Sequence, residues 1–151
     1  MNINKCSICR KYIIHTSLGR ITGCSHNFLK IRKSLKIGVV GSRKRTDKQS
    51  VVDFINSLPP GDIVVSGGCQ GVDTWAAETA IFRGMERPIV FKPDLTGCVH
   101  KWQYTERYYA RNRRIAEECD ILIAFVSPDR KGGTENTIKA AQKLGKEIII
   151  L

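Results

Sequence analysis

No stretch of this 151-residue sequence holds the roughly 20 consecutive apolar residues that a membrane-spanning helix needs; its longest apolar runs are Ile121–Val126 and Ile148–Leu151. The beginning lacks a continuous apolar segment and a small-residue cleavage site, so no secretion signal and no membrane partner are expected, and a cytoplasmic location is. Without a secretory context, the six cysteines do not read as a disulfide scaffold. Acidic residues are missing altogether from residues 1–36, which carry eight basic side chains: Lys5, Arg10, Lys11, Arg20, Lys30, Arg32, Lys33 and Lys36. Most of the net charge of +11 therefore sits in the first quarter of the chain. An acid-free basic arm is either a contact for a polyanion such as nucleic acid or a solvated tail. Low-complexity tracts are absent as well.

What is present is a regular alternation from Lys36 onward. Lys36–Gly41, Asp62–Ser66, Pro88–Phe91, Asp120–Val126 and Glu147–Leu151 read as short buried strands. Between them, Thr46–Ser57, Gly71–Gly84, Tyr104–Cys119 and Thr134–Leu144 read as amphipathic helices. In the second of these, Val72, Trp75, Ala76, Thr79 and Ala80 follow the spacing of a core-facing stripe. Tyr108, Ile115, Ala116 and Cys119 mark the corresponding face of the third. Near-continuous Val/Ile strands alternating with helices predict a parallel sheet covered on both faces. The expected fold is doubly wound, Rossmann-like α/β with about five strands over residues 36–151, and residues 1–35 form a small N-terminal appendage.

Open parallel sheets bind ligands beyond the carboxyl ends of their strands. Three loops there are unusual: Gly41-Ser42-Arg43, then Ser66-Gly67-Gly68-Cys69-Gln70-Gly71-Val72-Asp73, and Ser127 through Gly132-Gly133-Thr134. Glycine lets backbone approach a ligand, and the helix after such a loop offers free N–H groups and a positive dipole end to a phosphate. Ser42, Ser66 and Thr134 add hydroxyls and Arg43 a bidentate cation. Singly, each loop is explained by a tight turn, an N-cap or a surface charge; their convergence on one sheet edge favours anion binding. Asp73 suits either a ribose hydroxyl or the first turn of its own helix. Neither G-x-G-x-x-G nor G-x-x-x-x-G-K-[ST] occurs, which excludes the usual dinucleotide fingerprint and the P-loop.

Taken in order, Gly41-Ser42-Arg43, Val64–Asp73, Arg111-Asn112 ahead of Cys119–Phe125, and Gly133-Thr134 with Thr137-Ile138 resemble the SLOG superfamily, in particular its YspA-related branch. The resemblance spans roughly Leu35 to Leu151. It implies a nucleotide-binding Rossmann-like fold whose site is lined by Gly41, Ser42, Arg43, Gly67, Gly68, Asp73, Arg111, Asn112, Gly133 and Thr134; Ser66, Gly71 and Gly132 join them from the loop reading. The superfamily also contains LOG-type phosphoribohydrolases, with a Pro-Gly-Gly-x-Gly-Thr-x-x-Glu motif. Here Thr137 stands where that glutamate would be, and Glu135 lies two residues early, about 200° around a helix. Arg111 and Glu135 are the candidate catalytic residues should the chain be an enzyme. The superfamily's DNA-processing branch binds single-stranded DNA, which adds a nucleic-acid reading to the basic arm.

Cys6-Ser-Ile-Cys9 and Cys24-Ser-His26 supply four ligands suited to Zn²⁺, with Cys98 and His100 in a similar Thr-Gly-Cys-x-His setting. A disordered arm with reduced thiols is the alternative. Three functions follow: a nucleotide-binding or sensing module, a nucleoside 5′-monophosphate N-glycosidase, and a single-stranded nucleic-acid binder. A homo-oligomer is compatible with all three.

Overall fold

The computed structural model describes residues 2–5, 12–20 and 33–151. Five strands form one parallel sheet: β4 (Lys36–Gly41), β5 (Ile63–Ser66), β6 (Ile89–Val90), β7 (Ile121–Phe125) and β8 (Glu147–Ile150). Their order is β6-β5-β4-β7-β8, so the chain winds outward in one direction from β4 and then returns beside it to wind in the other. Both neighbours of β4 are parallel to it, with Gly38 opposite Val65 on one side and Leu122 on the other. The burial of β7 is complete along its length, as a central strand requires.

Helices cover both faces. Helices α1 (Lys48–Ser57) and α2 (Val72–Phe82) pack over Ile37, Val39, Val64 and Ile123, where Phe54 meets Phe125 edge-on at 6.0 Å between centroids. Helices α3 (Lys101–Glu118) and α4 (Gly133–Lys143) cover Val40, Val65, Leu122 and Ala124 with Ile115, Ala116, Ile138 and Ala141. Cys119 lies in this second layer, and burial pushes its thiol up to about 11, as suits a small apolar filler rather than a reactive group. Asp62 and Asp120 accept the backbone N–H groups of Leu35 (3.1 Å) and Lys36 (2.8 Å), which fixes where β4 enters the sheet.

Two features depart from the sequence reading. Helix α3 begins at Lys101 rather than Tyr104, because the Gln103 carboxamide accepts the N–H groups of Val99 and His100, each at 2.8 Å. Within the early segment, β1 (Asn2–Lys5), β2 (Tyr12–Thr16) and β3 (Gly19–Arg20) pair antiparallel, where the sequence shows no regular pattern. Ser17 reaches the main domain, donating from N (3.1 Å) and Oγ (2.8 Å) to Glu147. Among the described residues no helix is long and apolar enough to cross a membrane.

Candidate functional site

Strand order reverses between β4 and β7, and a cavity of about 460 Å³ opens at their carboxyl ends. Its walls are the Val40–Lys44 segment leaving β4, Cys69 after β5, Asp73 on α2, Tyr108, Arg111, Asn112 and Ile115 on α3, and Lys131–Thr134 with Thr137 at the start of α4. The geometry of a doubly wound sheet makes this crevice, since the two crossovers that leave β4 and β7 diverge to opposite sides.

Two buried charged residues, Asp73 and Arg111, form the floor. Asp73, 4% exposed, accepts Gly41 N (3.3 Å) and Gly67 N (2.9 Å) on its two oxygens. It therefore ties the end of β4 to the loop after β5. Burial pushes its carboxyl above the ordinary range, while the Gly67 amide and the Arg111 guanidinium pull the other way. Arg111, 6% exposed, donates from Nη1 to Gly67 O, from Nη2 to Cys69 Sγ (3.3 Å) and from Nε to Asn112 Oδ1 (2.9 Å). Asn112 in turn donates to Asn136 Oδ1 (3.0 Å) and Gly133 O (3.3 Å), so α3 fixes the first turn of α4.

Two of the glycines answer to this packing. A Cβ on Gly67 would stand 2.0 Å from Arg111 Nη1, and one on Gly41 would stand 2.4 Å from Val72 Cβ. Both distances are far inside contact, so any side chain there displaces the floor or helix α2.

The mouth is polar and positive. Arg43 is exposed; contacts with the Cys69 sulfur, then with Tyr108, hold its guanidinium pKa above the usual value. Lys131 stands across from it on the β7–α4 loop, and Lys44 pairs with Asp129 at the rim. Helix α4 starts without a side-chain cap, so its first N–H groups have no intrahelical partner. Thr134, in that first turn, is only 8% exposed, lines the cavity, and its hydroxyl makes no hydrogen bond among the described residues.

Of the residues singled out from sequence, Gly41, Ser42, Arg43, Asp73, Arg111, Asn112, Gly132, Gly133 and Thr134 meet in this cavity. Ser66, Gly67, Gly68 and Gly71 are not part of its wall; the Ser66 hydroxyl is buried without a partner among the described residues. Glu135 also stands outside the wall and pairs with Arg130, with a second contact at 3.1 Å. Thr137 does line the cavity, its hydroxyl donating to Gly133 O at 3.1 Å. Tyr108, Lys44 and Lys131 were not identified as site residues from the sequence. For Tyr108 a signal existed, because Tyr104, Tyr108, Arg111 and Ile115 share one helical face.

Cys6, Cys9, Cys24 and His26 lie outside the described residues. Among those described, no three His, Cys, Asp or Glu side chains gather as a metal site.

Strand order, two-sided helical cover and a crevice at the switch point define a Rossmann-type α/β protein. Among solved structures, the chain is similar to DNA processing protein A (DprA) from Streptococcus pneumoniae, with a TM-score of 0.59 and 23% identity. The match covers 78% of this chain and 50% of that one, so the chain spans about half the length of its structural neighbour. No protein-family model and no curated protein sequence matches it.

Proposed function

We propose that the chain holds the phosphate of a nucleotide or nucleotide-derived ligand between the Ser42–Lys44 turn and the N-terminus of α4, as a binding or sensing module. The observation that carries this reading is Thr134, a largely buried residue of the cavity wall whose hydroxyl bonds none of the described residues and which stands in the uncapped first turn of α4. A phosphate satisfies all of these donors at once, and Arg43 and Lys131 lie at the mouth to neutralise it. The ordered resemblance to the SLOG superfamily supports the same ligand class. On this reading residues 36–151 are the binding unit and residues 1–35 an attachment to it.

Hydrolysis of the glycosidic bond fits the cavity poorly. That chemistry needs a carboxylate beside the developing oxocarbenium ion. Thr137 occupies the relevant wall, Glu135 is turned to Arg130, and Asp73 is committed to two amides. Equilibrium dialysis against a labelled nucleoside monophosphate is therefore expected to show retention of intact ligand. Steady appearance of free base, abolished by Arg111→Ala or Glu135→Gln, contradicts this, and failure to retain any nucleoside phosphate contradicts the binding reading itself.

One feature favours nucleic acid as a second ligand. The amino-terminal half of α3 leaves Trp102 60% and Tyr109 44% exposed, with Arg107 and Arg113 around the same hollow. Aromatic faces interleaved with cations are what a single strand stacks and runs along. The acid-free basic arm would add to the same attraction.

A further inference from the structure

Cys69 stands in the cavity wall, half-buried and not in a disulfide. Its backbone is fixed, because its carbonyl accepts from Thr74 N (3.2 Å) and Thr74 Oγ1 (2.7 Å). Its sulfur meets two guanidiniums: Arg111 donates to it from Nη2 at 3.3 Å, and Arg43 contacts it from the mouth. The wall carries the cations Arg43, Lys44, Arg111 and Lys131 against the one carboxylate of Asp73. Lys44 is paired with Asp129 and Arg111 interacts with Asp73, whereas Arg43 and Lys131 form no salt bridge among the described residues. The sulfur therefore faces a space of net positive charge.

This setting separates Cys69 from the other two described cysteines. Cys119 is buried in the second core layer. Cys98 lies half-buried in the outer hollow of α3, where Glu106 stands with Arg107 and Arg113, and its sulfur makes no hydrogen bond among the described residues. Reactive cysteines sit in electropositive, partly exposed surroundings, and of the three only Cys69 combines both with direct contact to a cation. Thr134 is an independent mark of a polar occupant in the same space: it is largely buried, lines the wall, and its hydroxyl bonds none of the described residues.

We propose that Cys69 is a thiol–disulfide exchange site for small carboxylate-bearing disulfides, with Arg43 holding the carboxylate while the sulfur attacks. The Cys69 thiolate attacks one disulfide sulfur, a new S–S bond forms as the old one breaks, and the leaving thiolate takes a proton from solvent in place of the one that Cys69 released. The disulfide itself is the oxidant, so nothing else is consumed. Exchange asks of the wall only a sulfur and a counter-charge, and both are present. In the product the carboxylate lies against the cations assigned above to phosphate, so exchange and phosphate binding exclude one another; this last point rests on that reading.

Mass-spectrometric peptide mapping of the full chain tests the proposal by following each cysteine through reaction with three aliphatic disulfides. These are 3,3′-dithiodipropionate, which is anionic, 2-hydroxyethyl disulfide, which is neutral, and cystamine, which is cationic. Dividing the rate at Cys69 by the rate at Cys98 in the same molecule removes the intrinsic reactivity of each reagent. At low salt that ratio should be about tenfold higher for the anionic reagent than for the neutral one, and lowest for cystamine. The spread should collapse in about 1 M salt, where the screening length falls to about 3 Å. Arg43→Ala, a change at an exposed position, should bring the anionic and neutral ratios within about threefold of each other. Inorganic phosphate should slow reaction at Cys69 and spare Cys98. Equal ratios for the three reagents, a preference that survives Arg43→Ala, or no reaction at Cys69 overturns the proposal. A charge preference that is lost in Arg43→Ala but insensitive to phosphate upholds the exchange site and contradicts phosphate binding in the cavity.

Discussion

Arg43→Ala is expected to weaken binding of a nucleoside monophosphate about tenfold while leaving the corresponding nucleoside unaffected. A hydrogen bond to a charged group contributes roughly 1.5–3 kcal/mol, and the exposed position of Arg43 argues for the lower end. Lysine at this position keeps the charge but not the planar fork, so Arg43→Lys should recover part of the loss. The effect should shrink as salt is raised, since a cation at a cavity mouth is screened more than one inside it. Competition titrations of AMP and adenosine at two ionic strengths measure all of this together. Equal losses for nucleotide and nucleoside would show that Arg43 supports the wall, through its contacts with Tyr108 and Cys69, rather than the phosphate.

Asp73→Ala should produce the largest loss of stability of any single change at the site. It leaves the N–H groups of Gly41 and Gly67 without their acceptor and removes a carboxylate that interacts electrostatically with the buried Arg111. Leaving a buried donor unsatisfied costs about 1–3 kcal/mol, and two of them in a chain of this size lower the midpoint of thermal unfolding by roughly 10 °C. Asp73→Asn keeps one acceptor and should lose less. Urea unfolding of the three proteins gives the ranking; a loss below about 1 kcal/mol for Asp73→Ala, the cost of an ordinary exposed contact, would mean that the tie between the two loops is dispensable.

The two outcomes bear on how far the sequence alone reaches. The sheet was legible because central strands in a parallel sheet are buried on both faces and so read as continuous Val/Ile runs; Lys36–Gly41 was located to the residue. Edge strands bury less, and β6 is only Ile89–Val90, shorter than its apolar segment. The first turn of α3 was invisible because Lys101, Trp102 and Tyr104 are exposed, and a helix without a buried face has no periodicity to read. The pairing of Tyr12–Thr16 with Asn2–Lys5 depends on contacts between segments, not on a pattern within either.

At the site, glycines and hydroxyls announced the three loops, but their division of labour did not follow from spacing. Asp73 serves amides 32 and 6 residues away in sequence, which no local motif encodes. Thr137 and Glu135 were separable by helical phase, and the structure places one in the wall and the other outside it.

The most direct test of the phosphate site is a backbone amide NMR titration of the full chain with inorganic phosphate and then with AMP. The amides of Ser42, Gly133, Thr134 and Glu135 should move with both ligands and saturate together. Perturbations confined to the outer half of α3 around Trp102 and Tyr109, or to the basic arm, would contradict the account and place anion binding outside the cavity.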